Sequence, residues 1–312
     1  LVQHLVGSRR EMAQSWADDH FFPMSYHDRI NLPQVAQYLM VNRCDRSPTD
    51  LPPECKDVHP QMRTLCAELS RNLRSYIRTR YRNRMPRNTK DWPLSRVFSW
   101  AGREEIESND QEPHRILADL ELPLYVTANQ NLLLEDALCR HGPELNEVWE
   151  RLGQDREQPF FYPTQVRNRV HHVFGDMDHI QDIVLTEDDY FEFLMSAFRE
   201  GGRVPYRIQS TLSRSSLLFL GFRLYHWDFR VLFQFIKEIG GSALLQGRPH
   251  VAVQIDPDDD YIVDPERARR YLECYFDEDG TDEKPKPRKP NLQMSIFWGT
   301  PVDFLRTLQE RR

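Results

Sequence analysis

The chain has 312 residues, a formal net charge of −7 and a pI near 5.9. That length holds one large domain or two smaller ones, and the acidic balance argues against general nucleic-acid binding. With 17 Phe, 12 Tyr and 6 Trp the chain can furnish a sizeable core, and apolar runs such as Leu217–Phe222 are too short to span a membrane.

The five cysteines, Cys44, Cys55, Cys66, Cys139 and Cys274, contain no CxxC pair, so no zinc site or other metal is expected. The eleven-residue spacing of the first three is read as chance, and scattered, odd-numbered cysteines fit reduced thiols in a cytosol. No secretory signal is visible. Because the chain opens on Leu1, the native N-terminus is expected to lie outside it.

Ser8-Arg9-Arg10-Glu11 is a capping-box pattern followed by Met12, Ala13 and Trp16, which predicts a first helix over 9–20. Pro33 suits the first turn of a second helix carrying Val35, Tyr38, Leu39 and Met40. The Pro- and Asp-rich segment 45–60 reads as loop. From His59 onward Met62, Leu65, Leu69, Leu73, Ile77 and Tyr81 recur at three or four residues and mark a long amphipathic helix. Its distal part, Arg71–Lys90, is rich in Arg, holds no acid and interleaves Tyr76 and Tyr81. Such a strip suits phosphate or nucleic acid. It equally suits a solvated helix face or a contact with an acidic subunit.

Residues 86–112 read as irregular, and a short helix is expected over His114–Leu120. Pro123–Glu135 then reads as a buried strand, a polar turn and the start of an amphipathic helix over Leu132–Arg140. Thr and Asn at the carboxyl end of such a strand sit where open α/β sheets bind ligands. A loop over Gly142–Asn168 precedes Arg169–Phe174, which alternates like a strand and ends in Gly175-Asp176. Strand alternation would put His172 on the face of Phe174, about 7 Å away, with His171 opposite.

Thr186-Glu187-Asp188-Asp189 starts a helix that turns Tyr190, Phe193, Leu194 and Phe198 inward. Ser216–Leu220 is a second apolar strand closed by Gly221, followed by a helix over Trp227–Ile239 and a third strand, Val251–Ile255. A helix over Pro265–Phe276 leads to the charged, Pro-rich Asp277–Pro290, expected to be disordered or a surface loop. Leu292–Trp298 is a last strand and Val302–Leu308 a last helix. Strands separated by helices indicate an α/β fold built on a parallel sheet with helices on both faces. The mainly helical first 120 residues read as a layer or subdomain attached to it.

Four segments together resemble the sirtuin-like (silent information regulator-like) domain of bacterial NAD-degrading defence proteins. Thr127-Ala128-Asn129-Gln130-Asn131-Leu132-Leu133-Leu134-Glu135 is similar to that family's Thr-Thr-Asn-Tyr-Asp-x-Leu-Leu-Glu turn. Val170–Gly175 followed by Val184–Tyr190 is similar to its histidine–glycine strand and helix start. Leu218–Phe222 with Trp227–Arg230, and then Ser295–Gly299, are similar to its phosphate-side strand and helix and to its terminal strand. The resemblance runs from about Pro33 to the end of the chain.

It implies a Rossmann-like, NAD-binding fold, with residues 1–120 as its helical N-terminal part and 121–312 as the NAD-binding part. In this branch the usual activity is cleavage of the nicotinamide–ribose bond, in anti-phage defence by NAD depletion, by a cytoplasmic oligomer or a complex with a sensor. The family's Gly-rich opening strand and turn are expected to precede Ser8, outside the chain. Asn131 stands where the pattern has Asp, and Phe174 where it has the catalytic His.

The resemblance implies that Asn129 positions water and holds the ribose; the alternative is an Asn that caps the next helix. His172 is the candidate general base, or else a core histidine or a support for the loop. Thr127, Asn131 and Gly175 are the expected nucleotide contacts of this half. Gly221 suits close approach of a nucleotide or is a turn glycine. Asp256 suits ribose hydroxyls or belongs to a solvated acidic loop. The competing functions are a catalytically inactive NAD- or ADP-ribose-binding module that assembles partners, a deacylase lacking the usual zinc cysteines, and a nucleic-acid scaffold using Arg71–Lys90.

Overall fold

The computed structural model describes residues 12–42, 55, 60–82, 84–86, 88–89, 91–139, 169–177, 179, 183–197, 208, 211, 215–221, 251–255, 262–276 and 294–311. They fall in two compact units, one up to Met195 and one from Ser196. The predicted helix over Trp227–Ile239, the loop over Gly142–Asn168 and the insertion Asp277–Pro290 lie outside the described residues.

The first unit is helical around a short sheet. A helix over 12–19 (α1) and α2 (Tyr26–Arg29), α3 (Leu32–Asn42), α4 (Pro60–Arg80) and α5 (Leu94–Ser108) precede α6 (Pro113–Asp119). Strand β1 (Leu124–Thr127), α7 (Leu133–Leu138), β2 (Arg169–His172) and α8 (Glu187–Ala197) complete it. Leu65, Leu69, Leu73 and Ile77 recur every fourth residue of α4 and are all buried. They pack with Trp16 of α1, Leu39 of α3 and Phe98 of α5 in one core, each large side chain contributing about 1.5–3 kcal/mol on burial.

A smaller cluster lies under the sheet, where Tyr125 of β1 and Val170 of β2 meet Ala118, Leu134 and Leu138. The Tyr125 hydroxyl donates to the Leu117 carbonyl (2.7 Å) and accepts the Leu122 N–H (3.0 Å), which fixes α6 to β1. Glu112 caps α6 by accepting the Arg115 N–H, and its other oxygen meets His114 Nδ1 at 2.8 Å. Burial works against the Glu112 charge, but His114 and the Arg115 amide overcome it and hold the carboxyl below its ordinary range.

The second unit holds β3 (Leu217–Phe219), β4 (Val251–Ile255), α9 (Pro265–Phe276), β5 (Met294–Trp298) and α10 (Pro301–Glu310). Its sheet has the order β3-β4-β5, and β1 and β2 form a two-stranded sheet in the first unit. Every described pairing is parallel. The protein is therefore mixed helix and strand with short parallel sheets, as an α/β chain requires.

Three expectations need correction. Residues 86–112 are not irregular, because Leu94, Val97, Phe98, Ala101 and Ile106 form the buried face of α5, a helix of 15 residues. The β2 strand stops at His172 rather than Phe174, since Val173 and Phe174 already turn. Cys55 and Cys66 are joined by a disulfide and buried, so they are not reduced thiols. Cys66 is on the core face of α4, and that proximity is invisible in the spacing alone. Cys139 is free, and Cys44 lies outside the described residues.

Gly102 lies inside α5, where glycine ordinarily costs stability. A Cβ there would stand 2.0 Å from Cδ2 of the buried Leu133 on α7. Gly102→Ala is therefore expected to destabilise the chain by about 1–3 kcal/mol, against its gain in helix propensity. Denaturant unfolding measures this, and a more stable variant would refute the close packing of α5 on α7.

Candidate functional site

The turn after β1 is tied down by its own backbone and by the segment after β2. Thr127 Oγ1 accepts the Asn129 N–H at 3.0 Å. The Thr127 carbonyl accepts from Val173 N–H (3.0 Å), and the Gln130 carbonyl from Met177 N–H (2.8 Å). Gly175 lies between those two ties with φ 78°, a left-handed conformation that favours glycine. Asn131 is buried, and its Oδ1 accepts the Leu133 N–H (3.3 Å) at the start of α7. The capping role weighed for Asn129 thus falls to Asn131.

Asn129 itself is held on both sides of its backbone, because its carbonyl meets His172 Nδ1 at 2.7 Å. Its side-chain carboxamide has no hydrogen-bond partner among the described residues. The turn is a rigid mount carrying one uncommitted amide, half-exposed at the carboxyl end of a parallel strand.

His172 bridges that turn to α7. Its Nδ1 faces the Asn129 carbonyl, and its Nε2 faces Oε1 of Glu135. A carbonyl only accepts, so Nδ1 carries hydrogen; with Glu135 as a carboxylate Nε2 carries one too, and the imidazole is then cationic. Burial pulls the His172 pKa down, but the Glu135 hydrogen bond and charge, the Asn129 carbonyl and Asp176 outweigh it and raise the value above 6.5. While the Glu135 contact is closed, neither nitrogen keeps a lone pair for a substrate proton.

His171, next along the strand, is pushed down to about 4 by burial and by the charge of His172, and is neutral at pH 7. Phe174 shares no face with His172, since the strand has ended. It is 1% exposed and stands edge-on to Tyr190 and Phe193 of α8, each at 5.2 Å between ring centres. The first unit therefore gathers Thr127, Asn129, Asn131, His172 and Gly175 around one turn.

In the second unit Gly221 follows β3 with φ 72°, and a Cβ added there would meet nothing within 4 Å. Its backbone conformation favours glycine, and among the described residues no atom crowds the space beside it. The Gly221 N–H donates to Gln254 Oε1 (2.8 Å), and Gln254 Nε2 donates to the Gly299 carbonyl (2.6 Å). The Gly299 N–H in turn donates to the Ile255 carbonyl (2.9 Å). One buried amide thus ties the carboxyl ends of β3, β4 and β5. Asp256 lies outside the described residues.

Several arginines of Arg71–Lys90, on α4 and just beyond it, have partners within the protein. Arg71 pairs with Glu68 at 2.8 Å, Arg80 with Glu105 at 3.2 Å and Arg84 with Glu104 at 3.9 Å. Arg74 donates to the Trp92 carbonyl, and Tyr81 is buried with its hydroxyl on Glu105. Tyr81 cannot stack on a base. Among the described residues no group of three or more His, Cys, Asp or Glu could hold a metal, and no helix is long and apolar enough to cross a membrane.

The sequence does not signal the contacts made by two residues of these arrangements, Glu135, which closes the Thr127–Glu135 segment, and Gln254. Glu135 reads as the ordinary acid of a first helical turn, and Gln254 as a polar residue in an apolar strand.

Residues 123–277 match the family model of the SIR2-like domain. The match begins at the residue before β1 and includes the Asn129 turn, β2, α8, β3 and β4. No curated protein matches the chain.

Gln254→Ala removes the partners of the Gly221 N–H and the Gly299 carbonyl together. A loss of about 2–4 kcal/mol is expected, the cost of two unsatisfied backbone groups. Hydrogen exchange at Gly221 reads it directly, and unchanged protection there would remove Gln254 from the strand-end tie.

Proposed function

We propose that this chain, which carries a SIR2-like domain, is an NAD glycohydrolase that cleaves NAD to nicotinamide and ADP-ribose. The observation that carries the proposal is the uncommitted Asn129 carboxamide on a backbone fixed at both sides. In the reaction the bond between ribose C1′ and the nicotinamide nitrogen breaks, and neutral nicotinamide leaves with the electron pair. Water adds to the oxocarbenium-like carbon and loses a proton to solvent.

An Asn suits that step because its carboxamide oxygen accepts from the incoming water or a ribose hydroxyl without adding a charge. Thr127 and Gly175 border the same turn, which supports them as nucleotide contacts. Asn131 contributes by capping α7 under the turn. Gly221, Asp256 and the Rossmann-like arrangement, a parallel sheet with helices on both faces, belong to the same proposal. Residues 1–120 then serve as its helical part and 121–312 as its NAD-binding part. A cytoplasmic oligomer, or a complex with a sensor, that depletes NAD in anti-phage defence is the setting this implies.

The alternative is a module that binds NAD or ADP-ribose without cutting it. Phe174 in the aromatic core and the closed His172–Glu135 contact favour it, since neither supplies a base. A tight site with no turnover would then assemble partners.

Full-length protein incubated with NAD separates the two. Wild type is expected to release nicotinamide, and Asn129→Ala to lose on the order of 10²-fold or more in kcat, the scale of one lost transition-state contact. Its unfolding midpoint should stay close to that of wild type, because the deleted amide has no partner among the described residues. Unchanged turnover in the variant would remove Asn129 from the mechanism; calorimetric binding with no nicotinamide from wild type would select the binding module.

A further inference from the structure

Glu135 occupies the first turn of α7, where an acid ordinarily faces the free N–H groups or solvent. Here Oε1 accepts from His172 Nε2, and Oε2 is buried without a hydrogen-bond partner among the described residues. The His172 and Glu135 side chains are 6% and 9% exposed. A carboxylate is costly to place there, and its one directed contact leads through the imidazole to the Asn129 carbonyl.

We propose that Glu135 is a positioning residue for Asn129, acting through His172. By holding the imidazole as a double donor it fixes the Asn129 carbonyl, and so the place from which the carboxamide meets a ligand. The proposal rests on Asn129 as the ribose-side residue, and its test includes a measurement that needs no NAD.

The groups that face His172 are Glu135 from α7, Asp176 from the segment after β2, the neutral His171 beside it and the Asn129 carbonyl. Because the folded value of His172 is raised above 6.5, both of its donated hydrogen bonds are present below about pH 6.5, and one of the two is lost as pH rises through that raised value. Removing the Glu135 charge leaves burial, which lowers the value, as the larger influence.

Carbon-labelled histidine in the full chain, followed by NMR from pH 5 to 9, reads the first link. His172 is expected to titrate above 6.5 in wild type, and roughly 1–3 pH units lower in Glu135→Ala and Glu135→Gln, the size of one lost charge partner. The Asn129 amide resonance is expected to move at the His172 midpoint in wild type and to be displaced at every pH in Glu135→Ala.

Nicotinamide release reads the second link. The wild-type rate is expected to fall as pH rises through the His172 midpoint. Glu135→Ala should lower kcat on the order of 10²-fold with a smaller change in KM, the usual result of a misplaced group. Glu135→Gln should recover part of that loss, since a carboxamide can still meet Nε2, and its alkaline fall should shift with its own His172 midpoint.

An Asn129 resonance indifferent to the His172 titration overturns the proposal, as does a Glu135→Ala enzyme with unchanged kcat. Should Glu135→Ala fail to fold, Glu135→Gln decides by its shifted midpoint. Wild type that releases no nicotinamide while the two resonances still move together defeats the glycohydrolase but leaves the positioning role standing.

Discussion

A buried imidazolium held between a carbonyl and a carboxylate is the constraint on which the candidate site depends. It joins β2 at His172 to α7 at Glu135 and to the turn at Asn129, which precede it by 37 and 43 residues. Each partner offsets part of the desolvation of the others. The conformation of Asn129 is therefore a property of the trio together with Thr127, and only its carboxamide is left for a ligand.

The carboxyl ends of parallel strands leave backbone groups that a neighbouring strand no longer satisfies, and each must find a partner. The two units solve this differently. At β3, β4 and β5 a neutral amide, Gln254, donates and accepts across the ends, which fixes them without any dependence on pH. At β1 and β2 the closing group is an imidazole whose second donor exists only while it is charged. A neutral tie makes a passive scaffold. A charged one makes the tie depend on a proton.

What could be read from the sequence was what repeats or caps locally. Leu65, Leu69, Leu73 and Ile77 specify α4 by spacing alone, and Thr186 with Asp189 specifies the start of α8 through reciprocal hydrogen bonds. The strand–turn–helix at Pro123–Glu135 was legible for the same reason, a run of apolar residues broken by Thr and Asn. Helix α5 was not, because Pro93 and Gly102 look like breakers. In place, Pro93 precedes the first turn and Gly102 admits Leu133. Nor was the Cys55–Cys66 bond, or the Glu135–His172 contact, since both depend on which faces meet after folding. Alternation carried two residues too far put Phe174 beside His172, and only the end of the strand separates them.

That separation changes what Phe174 means for the chemistry. An imidazole in its place would be buried against the rings of Tyr190 and Phe193, an apolar setting that disfavours its charged form. The chain instead carries a charged imidazole two residues earlier, where a carbonyl and a carboxylate both accept. The exchange removes a base but keeps a cation fixing the turn. Hydrolysis of a nicotinamide riboside through an oxocarbenium-like transition state asks little of a base, because the leaving group departs neutral before water is deprotonated. It asks more of groups that hold the ribose and the water in register, and a misplaced group there is costly. A phenylalanine at 174 therefore weighs less against cleavage than a broken bridge at 172 would, and the catalytic question moves from the missing imidazole to the rigidity of Asn129.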